Sequence, residues 1–235
     1  MRKGSPLSKI IAESDVQVAP RKSLREDTAD ALRELILLEK LPPSTSIPER
    51  DLAEAMGISR TPMREAMRML ESEGLIEYSR TRRPFIANPS LSVIRQNLQV
   101  LGALEALAGE LACSEASNEA LEEISELNNF MQENSDKADA LTFFEVDMKF
   151  HRAIVQTSGN APLIETHRHY NARLFRARFV SSRMHVSREN TLAQHQKITD
   201  ALLNRDMMQA GIELRAHLET AITNIASTMD KDNTA

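Results

Sequence analysis

One glycine between two short amphipathic segments constrains this chain more than any other feature. Residues 48–78 read PERDLAEAMGISRTPMREAMRMLESEGLIEY. Leu52, Ala53 and Met56 recur at helical spacing before Gly57, and Met63, Ala66, Met67 and Leu70 do so after it. Gly57 suits the left-handed conformation that ends a helix. Ser46 followed by Glu49 is a capping-box pattern, with Pro48 in a first turn that needs no N–H. Ser59 or Thr61 can cap the second helix, with Pro62 in its opening turn. Arg60, Arg64 and Arg68, each four apart, line the face opposite the apolar set. A short helix, a glycine turn and a second helix with an arginine face predict a helix-turn-helix, whose second helix enters the major groove of duplex DNA.

The flanks extend that unit. Leu24 to Lys40 reads as a helix through Leu32, Leu35, Ile36 and Glu39, with Glu26 and Asp27 at the end that favours anions. Leu41-Pro42-Pro43-Ser44 stops it. Leu75-Ile76-Glu77-Tyr78 and Pro84-Phe85-Ile86-Ala87 flank a basic tip, Ser79-Arg80-Thr81-Arg82-Arg83, and predict a β-hairpin, or wing. A solvated face on an ordinary helix pair is the competing reading. Turn glycine, caps and basic wing at one offset favour DNA. Arg60 and Arg64 then point at base edges, while Arg50 and the wing residues Arg80, Arg82 and Arg83 grip phosphate.

The expected fold is mainly α: a winged helix-turn-helix over 23–88 and an all-α antiparallel helical bundle over 90–229. Residues 1–22 read as a flexible arm and 230–235 as a frayed tail. Asn88-Pro89-Ser90 is the boundary. Within the bundle, helices are predicted at 91–114, 118–134, 139–157, 162–180, 187–204 and 206–229, joined by short polar loops.

A chain of 235 residues suits two such domains. The net charge of −5 is uneven: +1 over residues 1–20, zero over 21–89 and −6 over 90–235. The reader is therefore neutral overall, with its basic charge on one edge, and local potential governs phosphate contact. The single cysteine, Cys113, excludes an intramolecular disulfide and a cysteine-based zinc ribbon, and reads as a small buried apolar residue. No apolar run is long enough for a membrane span, and Arg2 and Lys3 precede no apolar signal core. A cytoplasmic protein with no membrane partner is expected.

A second constellation lies in the bundle. Asp147 and His151 share one helical face, and His195 and His217 lie on two later helices. One carboxylate and three imidazoles from three helices can converge on a divalent transition metal. Taken singly, each histidine reads as a partly buried polar group, the assignment made for His167, His169 and His185. The stripe Leu98, Leu101, Leu104, Leu107 and Leu111 reads as core or subunit interface.

These residues carry two resemblances. The stretch from Glu49 to Tyr78, with its SRTP-x-RE core and EGL-x turn, closely resembles the winged-helix reader of the GntR family of bacterial transcription regulators. That resemblance implies operator contacts by Arg50, Arg60, Thr61 and Arg64. Lys40 and Ser44 stand where the family usually has glycines, and Arg83 stands where the wing tip usually has one. Residues 90–229 are similar to the all-helical FCD effector domain of the FadR-type branch. Its D-x-x-x-H, H-x-x-I and H-L motifs match Asp147/His151, His195/Ile198 and His217/Leu218. The similarity implies a zinc or nickel ion on Asp147, His151, His195 and His217, with open positions for a carboxylate effector. Where the family often has R-x-x-L-E, the arginine position is Leu101, ahead of Leu104-Glu105. Arg152, Arg173 and Arg176 are the candidate substitutes for that anchor.

The expected function is a sequence-specific DNA-binding transcriptional regulator, a repressor rather than an enzyme. It would act as a homodimer on a palindromic operator under control of a small organic acid bound near the metal. Two alternatives are a metalloenzyme working in the bundle and a metal-stabilised architectural DNA-binding module.

Overall fold

Helix α1, Leu24–Leu37, begins where the Glu26 carboxylate accepts the backbone N–H of Ser23 at 2.8 Å. The computed structural model describes residues 23–182 and 185–232, so the expected arm lies outside the described residues. Ala29, Leu32 and Ile36 bury one face of α1. The helix stops at Leu37, short of the expected Lys40, because Glu39 turns left-handed (φ 57°) and the Leu41 N–H returns to the Leu35 carbonyl. The other left-handed non-glycine residues among the reader's described residues are Ser44 and Arg82. Ser44 is one of the three positions where the family usually has glycine. At the other two the structure shifts the conformation one residue earlier, from Lys40 to Glu39 and from Arg83 to Arg82.

Helices α2 (Glu49–Ala55) and α3 (Arg60–Ser72) flank Gly57, whose φ of 65° makes the turn. The Ser46–Glu49 capping box does not form: α2 starts after Pro48 with no side-chain cap. Ser46 pairs instead with Phe85 of the wing, and neighbouring backbone bonds (Ser44 N–H to Ile86 O, Ile47 N–H to Pro84 O) hold the segment extended. Pro48 favours that extended approach. The wing is the antiparallel pair β1 (Ile76–Tyr78) and β2 (Pro84–Ile86), in register Ile76↔Ile86. Met63, Ala66, Met67, Leu70, Ile76 and Ile86 close a small core beneath α3.

Ser90 caps α4 (Leu91–Glu115), its hydroxyl accepting the Val93 N–H. Five more helices follow: α5 (Asn118–Asn134), α6 (Ala140–Thr157), α7 (Ala161–Ser182), α8 (His185–Leu203) and α9 (Met207–Asp232). Ser117 and Asp139 cap α5 and α6. The last helix runs on to Asp232, past the Met229 at which fraying was expected. Helices α4 and α9 approach closely because Gly109 has no side chain: a Cβ there would lie 2.3 Å from Leu214 Cδ1. Phe150, Ile154, Ile198 and Leu214 fill the bundle centre. Cys113 is buried, as expected of a small apolar residue. Among the described residues, no helix is long and apolar enough to cross a membrane.

Reader and bundle meet through a third cluster. Leu37 of α1 is buried with Phe144 and Met148 of α6 and Phe179 of α7. The Phe144 ring meets Phe175 and Phe179 edge-on, at 4.8 and 5.3 Å. Arg176 donates to Glu39 at 2.9 Å across the same junction. Gly74 (φ 70°) admits the Arg173 stem, which a Cβ would meet at 2.7 Å.

Candidate functional site

Helix α6 has two working faces. At four-residue spacing Asp147 and His151 project into the bundle, while Phe144 and Met148 on the adjoining face meet the reader. His195 of α8 and His217 of α9 join the first pair, and one ligand atom from each of the four lies within 4.8 Å of the others. Asp147 Oδ1 is 3.3 Å from His195 Nε2 and 3.5 Å from His151 Nε2. All four side chains are buried, yet Asp147 Oδ1, His151 Nε2 and both ring nitrogens of His195 have no hydrogen-bond partner. Buried polar atoms left this way are costly unless something outside the chain satisfies them. The donor set is that of a divalent transition-metal site.

The surrounding groups orient these ligands. Glu105 of α4, fully buried, accepts from His151 Nδ1 at 2.7 Å and from His167 Nε2 at 3.1 Å. Gln194 Oε1 accepts from His217 Nδ1 at 2.9 Å, and its amide donates to Thr220 at 2.8 Å. Both bonds leave Nε2 as the ligand atom. The Arg178 guanidinium lies 3.8 Å from Glu105 Oε1 and 3.8 Å from Asp147 Oδ2.

This charge pattern sets the protonation states. Burial alone would raise Asp147, but His151, His195 and Arg178 hold its carboxyl well below the usual range. Burial likewise opposes ionisation of Glu105, and His151 and His167 outweigh it. Burial pushes His195 down to about 3 and His217 well below the ordinary histidine value. His151 goes the other way: burial lowers it, but the Glu105 charge carries it up to about 9. At neutral pH Asp147, His195 and His217 are ready to ligate, whereas His151 is an imidazolium whose Nε2 still carries a proton.

A narrow cleft opens beside the cluster, walled by Phe143, Asp147, Arg178, Arg188, Gln194 and Asn224 among others. Arg188 stacks on the Phe143 ring at 4.6 Å and donates to the Ser135 carbonyl. None of Arg152, Arg173 and Arg176 lines this cavity, and the cationic walls are Arg178 and Arg188. Arg152 faces the cleft between reader and bundle, and Arg173 and Arg176 border a second junction cavity. The reason is rotation along α7: Arg173 and Arg176 lie on the reader side of the helix, and Arg178 turns inward.

On the reader, Arg60, Thr61 and Arg64 occupy the first two turns of α3 and are exposed. Glu49 of α2 accepts two bonds from Arg64, both at 3.0 Å, and lies 3.5 Å from Arg60. Arg50 is exposed beside Asp51 at 3.2 Å. Arg82 and Arg83 stand exposed in the wing turn, where Arg82 N–H donates to the Ser79 carbonyl.

Sequence reasoning missed Arg178, Arg188 and Gln194 and assigned His167 no role beyond burial. No local signal marks them, since each gains its role from another helix. Of the other two histidines read as partly buried, His169 is exposed, and the side chain of His185 lies outside the described residues.

Comparison with known proteins agrees with this arrangement. Residues 24–86 match the family model of bacterial regulatory proteins of the gntR family, and residues 96–220 match the FCD domain. The chain is 31% identical over 207 residues to an HTH-type transcriptional regulator in an unstable DNA locus of Streptomyces ambofaciens, covering 86% of this chain and 84% of that one. It is 29% identical over 179 residues to the Nta operon transcriptional regulator of Aminobacter aminovorans, covering 75% and 82% of the two chains. In fold, E. coli McbR/YncC superposes with a TM-score of 0.74 at 20% identity, over 88% of this chain and 99% of that chain. The chain therefore belongs to the GntR family of transcription regulators, with a winged helix-turn-helix followed by an FCD domain.

Proposed function

We propose that this regulator is a cytoplasmic repressor that reads a palindromic operator as a homodimer and changes its grip when a small organic acid enters the bundle. Arg60, Thr61 and Arg64 open α3 and meet base edges, and Arg50, Arg82 and Arg83 hold phosphates. Residues 23–88 form the reader, and residues 90–229 supply effector binding and dimerisation. Asp147, His151, His195 and His217 hold a divalent ion, with zinc or nickel suiting three imidazoles and one carboxylate. Such an ion, when bound, supplies open coordination positions for an effector carboxylate. Arg178 and Arg188 on the cavity wall favour an anion, and no catalytic step is assigned to the bundle.

The observation that carries the reading is the double duty of α6. The helix that presents Asp147 and His151 to the cluster also presents Phe144 and Met148 to Leu37 of the reader. A packing change at the ligands is thus one helix away from α1. Coupling of about 1–3 kcal/mol, usual for allostery, would alter operator affinity about 5- to 150-fold. Elemental analysis of purified protein, followed by thermal-shift screening of organic acids and DNA retention, tests it. A stoichiometric transition metal and an acid that shifts both melting and DNA retention are expected. A metal-free protein whose DNA retention no acid changes would overturn the effector mechanism.

A further inference from the structure

We infer that His167 is a positioning residue that carries metal binding onto α7, a helix that supplies none of the four ligands. This deepens the metal reading above and rests on it. Asp147 and His151 come from α6, His195 from α8 and His217 from α9. Helix α7 stands behind them, and His167, buried at 4% exposure, is its link to the ligands through Glu105.

The Glu105 carboxylate divides its two oxygens between two imidazoles. Oε2 accepts from ligand His151 Nδ1 at 2.7 Å, and Oε1 accepts from His167 Nε2 at 3.1 Å. Among the described residues these are the two hydrogen bonds it receives. Arg178 is the next donor, 3.8 Å from Oε1 and already bonded to Asn171 at 2.8 Å. A buried carboxylate oxygen without a donor is costly, so losing the His167 N–H would turn Oε1 toward Arg178. That rotation takes Oε2 away from His151 and draws the guanidinium off Asp147, which it faces at 3.8 Å. Two of the four ligands thus depend on one imidazole that bonds to neither.

The same bond works in the other direction. An ion that fixes His151 also fixes Glu105, and Glu105 then fixes His167. The later turns of α7 meet the reader side: Phe175 and Phe179 pack on Phe144, and Arg176 donates to Glu39. Ligation at α6, α8 and α9 therefore steadies a fourth helix, the one whose far half holds α1. The competing account is a core histidine that only fills space, for which volume matters and the N–H does not.

The test compares full-length wild type, His167→Phe and His167→Gln, each metal-free and zinc-loaded. Phe keeps a ring but cannot donate, whereas Gln places an amide N–H at similar reach. In competition with a chromophoric chelator, His167→Phe should bind zinc about tenfold more weakly, the low end for loss of an outer partner. His167→Gln should stay near wild type. Hydrogen exchange across Ala161–Ser182 should slow when zinc enters the wild type and His167→Gln. In His167→Phe that slowing should be lost from α7 and kept on α8 and α9. Melting curves of the metal-free proteins check folding, and His167→Leu replaces a Phe variant that does not fold. A Phe variant that binds zinc like wild type, or a Gln variant as weak as Phe, overturns the inference. So does zinc that leaves α7 exchange in the wild type unchanged. Each of these spares the metal site, whereas a wild type that binds no zinc overturns both.

Discussion

Replacing Glu105 by glutamine keeps the shape of a buried side chain and deletes its charge, which isolates what that charge does to His151. The carboxylate accepts the His151 Nδ1 proton at 2.7 Å, and it is the group that carries the imidazole up to about 9 against burial. Ligation requires His151 Nε2 to be unprotonated. At pH 7, two units below that value, the proton competes with the metal by about 100-fold. Asp147, His195 and His217 add no such competition near neutrality, because all three lie far below it. Zinc affinity of the wild type should therefore climb about tenfold per pH unit between pH 7 and pH 9, with one proton released. In Glu105→Gln burial dominates, His151 is neutral throughout, and the slope flattens. The variant also loses the partner that makes Nε2 a strong donor, which costs about 10- to 100-fold in affinity. At pH 9 it should bind zinc about 10- to 100-fold more weakly, whereas at pH 7 relief from the proton brings it within about tenfold of wild type. Competition against a chromophoric chelator at pH 7, 8 and 9 measures this. A variant that keeps the wild-type slope would refute the role given to Glu105.

Three other outcomes follow from the same geometry. In metal-free protein His151 is raised in the folded state, so its contribution to stability is complete below about pH 6.5 and is lost as pH rises through about 9. Thermal melts with chelator should fall between pH 7 and pH 9.5, and a constant midpoint would contradict it. Arg64→Ala should weaken operator binding by about 1–3 kcal/mol and relax base preference at one position in a binding selection. Uniform weakening across all sequences would move Arg64 from base reading to phosphate contact. Phe144→Ala empties a fully buried position against Leu37, Phe175 and Phe179 and should cost about 3–5 kcal/mol in denaturant unfolding. Any folded variant should also lose effector control of DNA retention, and retained control would show that the signal bypasses this junction.

The reader was legible because its determinants are local. Gly57, the caps and the period of Met63, Ala66, Met67 and Leu70 act within a few residues of one another, and the wing follows from two apolar runs about a basic tip. The bundle helices were equally legible from their breaks, and spacing with family likeness was enough to bring Asp147, His151, His195 and His217 forward. Where local rules failed, a distant partner won. Ser46 left its capping box to pair with Phe85, and Glu49 turned to Arg64. Only the tertiary structure decided that Arg178 and Arg188, not Arg152, Arg173 or Arg176, line the cavity, because helix rotation depends on packing against α1, α6 and α9. It alone decided that Glu105, sixty-two residues from His167 and forty-six from His151, binds both. A sequence records which side chains share a face of one helix; which faces meet is set by the close approach that Gly109 and Gly211 permit and by the volumes that fill the space between.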